Sequence, residues 1–169
     1  DNAAVIEGWH GRRWFAPRTA DQLAAVVSAH PDARIVAGAT DVGLWITKQH
    51  RDVGDIVYTG DAADLRRVVA SPAHTAIGAA CKLAEAFAAL DRQWPELHEA
   101  WSRFASVPIR NSGTLGGNIA NGSPIGDAMP ALIALGATVV LRRGDATREL
   151  PLEDLYVAYR KTALQPGEF

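Results

Sequence analysis

Between Arg110 and Gly136 the chain reads RNSGTLGGNIANGSPIGDAMPALIALG, and this stretch limits the fold more than any other. Gly113, Gly116, Gly117, Gly122 and Gly126 are too dense for a helix or strand interior, where each glycine costs backbone entropy. The glycines therefore predict a loop that turns sharply and leaves its amide groups approachable. An uncharged loop of free N–H groups suits an anion such as a pyrophosphate. The stretch then turns apolar, predicting a helix over Asp127–Leu135 that stops at Gly136. A second stretch of the same kind, IVAGATDVG, runs from Ile35 to Gly43.

Around these stretches the sequence alternates strand and helix signals. Arg12–Ala16 is a short strand closed by Pro17. Thr19-x-x-Gln22 matches a capping box, and Leu23, Val26 and Val27 give the following helix one apolar face, ended at His30-Pro31-Asp32. Arg34–Ala37 is a strand running into Gly38, Val42–Lys48 has room for one or two helical turns, and Asp55–Tyr58 is a third strand. This order predicts a small parallel sheet. A boundary is expected at Gly60–Asp64, giving one lobe over residues 1–60 and a second over 61–169. In the second lobe, Leu65–Ala70 and Thr75–Gly78 read as strands. Leu83–Leu90 and Glu96–Phe104 read as helices separated by Trp94-Pro95, and Thr138–Arg142 and Thr147–Leu150 as a hairpin turning at Gly144-Asp145. The expected fold is α/β (α+β): a small parallel-sheet lobe and a larger mixed or antiparallel lobe, with the two glycine-rich stretches facing each other across the join.

Composition excludes several functions. A net charge of -2 with 17 scattered Lys and Arg leaves no footprint for nucleic acid or an anionic membrane. No apolar run approaches a membrane span and no secretory leader is legible, so a cytoplasmic setting is expected and the Asn121-Gly122-Ser123 sequon reads as chance. Cys81, the single cysteine, rules out an internal disulfide or a cysteine cluster and reads as a small buried hydrophobe. The ending Gln165–Phe169 reads as a turn leading into a further strand, as in a domain cut from a longer polypeptide.

Motif spacing narrows the chemistry further. Gly38-x-x-x-x-Gly43 opens like a P-loop, but Leu44-Trp45 stand where that motif needs Lys and Ser or Thr, and no G-x-G-x-x-G follows a strand. Thr40 and Asp41 sit at a strand-to-helix turn, able to reach a phosphate or simply to cap the helix. The five histidines lack metal-ligand spacing and are best read as solvated or packed, and no serine or cysteine sits in a nucleophile elbow. Phe104 reads as core, Asp127 as a favourable charge at a helix start. Trp9, Trp14, Trp45, Trp94 and Trp101 form no stacking series. No catalytic side chain and no metal ligand is predicted.

The two stretches together resemble the FAD-binding domain of the molybdenum hydroxylases, xanthine dehydrogenase in particular. The first family signature, V-G-x-T-[DE]-[IV]-G, reads here Ala37-Gly38-Ala39-Thr40-Asp41-Val42-Gly43. The second, R-N-x-[AG]-[ST]-x-G-G-N-I followed by S-P-x-x-D, reads here Arg110 to Ile119 and then Ser123 to Asp127. Carried over by position, the resemblance implies that Ile35, Val36, Ala37, Gly38, Ala39, Thr40, Asp41 and Val42 line the FAD pyrophosphate and ribityl chain. Thr114, Leu115, Gly116, Gly117 and Asn118 form the second wall, Phe104 packs on the adenine end, and Asp127 hydrogen-bonds the cofactor.

The resemblance further implies an electron-transfer module. Iron–sulfur clusters and a molybdopterin centre, on other domains or subunits of a hetero-oligomer, deliver electrons from purine (hypoxanthine or xanthine) oxidation to FAD, which reduces NAD+. By the same resemblance, the family's C-terminal subdomain is expected to begin after Phe169 and so to be absent from this sequence. The alternatives are the FAD subunit of a related hydroxylase, of the carbon monoxide dehydrogenase or aromatic thioester reductase type, or a non-enzymatic nucleotide-binding domain.

Overall fold

A computed structural model of the chain describes residues 4–7, 11–159 and 161–169; Trp9 and His10 lie outside the described residues. Four short strands form the first sheet: β1 (Ala4–Glu7), β2 (Arg13–Ala16), β3 (Arg34–Val36) and β4 (Ile56–Tyr58), in the order β1-β2-β4-β3. β2, β4 and β3 run parallel, as the alternation predicts. β1 adds an antiparallel edge that the sequence reading lacks. The register is pinned at its base by Asp55, whose carboxylate accepts from the Arg13 amide at 3.0 Å and from Nε and Nη2 at 2.9 and 2.6 Å. Those bonds, the backbone one foremost, hold the Asp55 carboxyl below its ordinary range.

Helix α1 (Ala20–Ala29) starts where the capping box predicts. Thr19 Oγ1 accepts from the Gln22 amide at 3.2 Å, and Gln22 Oε1 accepts from the Arg18 amide at 2.8 Å, one residue before the usual partner. Leu23 and Val27 on its inner face join Phe15 and Val57 of the sheet in one buried cluster. This face of the sheet is thereby sealed, and the C-terminal ends of β3 and β4 are left to carry loops. The loop after β3 leads into α2 (Val42–Thr47), which buries none of its residues.

The rest of the chain is built on helices. β5 (Val68–Ala70) and β6 (Thr75–Ile77) form a two-stranded ladder after a 3₁₀ turn over Ala63–Arg66, which replaces the expected strand start at Leu65. Then follow α3 (Leu83–Gln93), a 3₁₀ turn, α4 (His98–Arg103), α5 (Val107–Ser112), α6 (Leu115–Asn121) and α7 (Ala128–Ala134). β7 (Thr138–Arg143) and β8 (Ala146–Pro151) form the predicted hairpin, with Gly144 left-handed at φ 57° in the turn. After a 3₁₀ turn, β9 (Tyr156–Ala158) pairs with β10 (Lys161–Thr162). The antiparallel pairing is thus divided among three separate two-stranded ladders.

The ladders flank a second core of Leu83, Phe87, Leu90, Trp101, Leu115, Met129, Leu132 and Leu152. At its centre Phe87 and Trp101 stack at 4.7 Å. Phe169 exchanges backbone hydrogen bonds of 2.9 and 3.0 Å with Arg142 of β7, so the last turn does lead into strand-like pairing. Among the described residues no helix is long and apolar enough to cross a membrane.

Candidate functional site

The sharpest departure from the sequence reading lies inside the second glycine-rich stretch. The sequence predicts a loop with approachable amides from Arg110 up to the helix at Asp127, but α5 takes Arg110 to Ser112 and α6 runs through Gly116 and Gly117. Thr114 caps it, its Oγ1 accepting from the Gly117 amide at 3.1 Å. The Leu115 and Gly116 amides go to the Cys81 and Ala79 carbonyls, both at 3.0 Å, and the Asn118 amide to the Thr114 carbonyl at 2.9 Å. The three donors that lack a helical partner in its first turn, on Leu115, Gly116 and Gly117, are therefore spent within the chain, and the Asn118 amide makes the first helical bond. The glycines serve closeness instead: a β-carbon on Gly116 would stand 2.6 Å from the Ala79 carbonyl oxygen. Tertiary packing has overridden the helix penalty of two adjacent glycines.

The first stretch behaves as predicted. Among the described residues, no acceptor takes the amides of Gly38, Ala39, Thr40 or Asp41. Asp41 occupies the N-cap position of α2 without a side-chain capping bond, so the simple capping explanation for Thr40 and Asp41 does not hold. Ala39 sits in the left-handed region at φ 57°, a conformation that costs a non-glycine residue about 1–2 kcal/mol. Four unpaired donors on a strained turn form a ready receptor for an anion.

The two stretches meet directly. Ser112 Oγ donates to the Gly38 carbonyl at 2.8 Å across 74 residues of sequence. A β-carbon on Gly38 would stand 2.5 Å from Gly113 Cα and closer still to the Ser112 carbonyl oxygen, so only glycine fits this crossing. Thr40 Oγ1 lies over Gly113, and Ala37 faces Gly117, which stays exposed. The seam thus gathers Ala37, Gly38, Thr40, Gly113 and Gly117, with Thr114 behind them. Asn118 Oδ1 is buried with no hydrogen-bond partner among the described residues, an acceptor that calls for a donor from a ligand.

Among the described residues, no hydrogen bond or ring contact joins Phe104 or Asp127 to this seam. Phe104 packs edge-on against Phe87 at 4.9 Å. Its carbonyl and that of Ala105 accept from Arg110 Nη1 at 2.6 and 2.8 Å, which fixes the turn before α5. Asp127 is exposed at the start of α7 and makes no capping bond. It follows the tip of the α6–α7 loop, where Ile125 is 87% exposed.

Sequence reasoning missed Ala79, Lys82 and Ser112 at the seam. Lys82 Nζ donates to the Ser112 carbonyl at 2.9 Å, and Lys82 bridges to Thr114 in antiparallel fashion. Nothing local marks these residues, since each acts on a partner distant in sequence. Cys81 is fully buried as predicted; burial foremost, and then a 3.6 Å hydrogen bond to Glu85, push its thiol up to about 11. Among the described residues no group of three His, Cys, Asp or Glu is placed to hold a metal ion.

The residues present fit a dinucleotide cofactor: free loop donors for a phosphate, an orphaned amide oxygen for a hydroxyl or N–H, and a wall kept bare by glycine. Known proteins resemble this chain over most of its length. The chain is 32% identical over 166 residues to xanthine dehydrogenase of Emericella nidulans, covering 92% of this chain and 12% of that protein. It is likewise 32% identical over 184 residues to xanthine dehydrogenase of Drosophila subobscura, covering 99% of this chain and 14% of that protein. The fold matches the crystal structure of a copper- and molybdenum-containing carbon monoxide dehydrogenase with a TM-score of 0.83 and 26% identity, over 92% of this chain and 55% of that one. The chain therefore spans only about an eighth of the curated relatives' length. Residues 8–169 match the family described as FAD binding domain in molybdopterin dehydrogenase, and the chain belongs to that family.

Proposed function

We propose that the chain holds FAD across the seam and acts as the electron-transfer module of a xanthine dehydrogenase-like molybdenum hydroxylase. In this reading electrons arrive from iron–sulfur clusters and leave to NAD+ during hypoxanthine or xanthine oxidation. The observation that carries the reading is the direct crossing of Gly38 over Ser112 and Gly113, which sets four unpaired amides beside a glycine wall. The amides of Gly38 to Asp41 and the Thr40 hydroxyl bind the pyrophosphate, Asn118 Oδ1 takes a donor from the cofactor, and Gly117 leaves room for close approach. Ile35, Val36 and Val42 support the first wall, and Leu115 and Gly116 the second. In this reading Phe104 packs on the adenine end and Asp127 hydrogen-bonds the cofactor. When bound, FAD supplies the exchange between single electrons and hydride that no side chain here provides.

The iron–sulfur and molybdopterin partners belong to other domains or subunits of a cytoplasmic hetero-oligomer in this proposal. The two lobes divide near Gly60, a division supported by the two separate buried clusters. A second reading is favoured by the likeness to the carbon monoxide dehydrogenase structure: a flavin module whose electrons leave to an acceptor other than NAD+.

One experiment addresses both. The protein saturated with FAD and precipitated with acid is expected to release all its yellow colour into the supernatant, because neither glycine-rich stretch holds a histidine for a covalent link. Colour retained by the pellet overturns non-covalent binding. Without oxygen, NADH is expected to bleach the bound flavin and xanthine to leave it unchanged. Bleaching by dithionite but not by NADH overturns NAD+ as acceptor and establishes the second reading.

A further inference from the structure

We infer that Lys82 is the cation of the cofactor's phosphate site, a role that rests on the proposal that the seam holds FAD. The ammonium and the Gly38 crossing share one atom. Lys82 Nζ bonds the Ser112 carbonyl oxygen at 2.9 Å, and that oxygen is also the nearest atom to where a Gly38 β-carbon would stand. Lys82 therefore lies beside the first residue of the loop whose amides are unpaired. The bridge to Thr114 fixes its backbone against the opposite wall.

The need for such a cation follows from the count of donors. A pyrophosphate brings two negative charges, α6 has spent its first-turn amides on its own chain, and the loop brings the carboxylate of Asp41 with its four amides. An ammonium has three donors, and Ser112 takes one of Lys82's. Among the described residues no carboxylate is hydrogen-bonded to Lys82, and no other Lys or Arg hydrogen-bonds the seam. A partly exposed ammonium aimed at a phosphate gives a charge-assisted hydrogen bond whose strength depends on salt.

The test is fluorescence titration of FAD into the apoprotein across a series of KCl concentrations, for the parent, Lys82→Gln and Lys82→Arg. Glutamine keeps a donor for the Ser112 carbonyl and removes the charge; arginine keeps the charge. Lys82→Gln is expected to bind FAD about ten-fold more weakly at low salt, with a shallower dependence on KCl. Lys82→Arg is expected to keep most of the affinity and the parent's salt dependence. Two results overturn the inference while leaving FAD binding intact. One is Lys82→Gln matching the parent in affinity and salt dependence. The other is both variants weakening alike with the parent's salt dependence unchanged, which makes Lys82 a structural tie to Ser112. A parent that binds no FAD at any salt overturns the underlying reading instead, and this inference with it.

Discussion

Gly38→Val is expected to abolish measurable FAD binding and to destabilise the fold at once. The new β-carbon would stand 2.5 Å from Gly113 Cα, with the Ser112 carbonyl oxygen nearer still. Both obstacles are backbone, so no rotamer change relieves them. Overpacking of this kind costs about 3 kcal/mol, and the loops must separate, breaking the 2.8 Å bond from Ser112 Oγ. An affinity loss of at least about 100-fold, roughly 3 kcal/mol, is expected in flavin titration. Gly117→Val provides the contrast. Its β-carbon would stand 2.8 Å from Thr114 Oγ1, which must give way together with its capping bond, and 3.8 Å from Ala37 Cβ, with no backbone in the way. There the fold should stay within about 1 kcal/mol of the parent, while FAD content falls because the space kept for the ligand is filled. If Gly38→Val binds FAD like the parent, the crossing is not the site. If Gly117→Val does so, α6 is not its second wall.

Glu168→Gln is expected to lower the melting temperature by roughly 4–8 °C, from a loss of about 2 kcal/mol. The Glu168 carboxylate accepts from Arg148 Nε and Nη2, both at 2.8 Å, and from the Gln165 amide at 2.9 Å. Arg148 Nη2 also donates to the Ala163 carbonyl at 2.9 Å, so one ion pair ties residues 163–168 to β8. The Glu168 side chain is 6% exposed. The hydrogen bonds from Arg148 foremost, helped by the Gln165 amide, bring its carboxyl down to about 2. The folded chain thus favours the ionised form. Its stabilisation is complete above the ordinary carboxyl value of 4.5 and is lost progressively as pH falls from there towards about 2. Acid melts of parent and variant should therefore draw together as pH falls through this window, meet only near about pH 2, and be fully separated above about pH 5. Coincident curves would show that the pair adds nothing to folding, and parallel displaced curves that its charge adds nothing.

Local signals were legible where local chemistry decides the structure. Thr19 and Gln22 announced α1, Gly144-Asp145 announced the β7–β8 turn, and the β-branched runs announced β3 and β4. α6 was not legible, because its two glycines argue against a helix by propensity. What makes it a helix is the Thr114 cap together with the Ala79 and Cys81 carbonyls, which wait for its amides from another part of the chain. The same holds for the site. Gly38 and Thr40 could be picked from spacing, but Lys82 acts through Ser112, a contact that only the folded chain creates.

Cys81 gives this architecture a built-in clock. Its carbonyl holds the first amide of α6, its thiol is wholly buried, and burial suppresses the thiolate, the nucleophile that attacks alkylating reagents. Iodoacetamide can label it only in moments when the packing between the Cys81 turn and α6 comes apart. The labelling rate under native conditions therefore times the breathing of the second wall, with no probe added to the protein. Saturating FAD should slow that clock if the wall closes on the cofactor, and an unchanged rate would mean that the wall opens independently of what it faces.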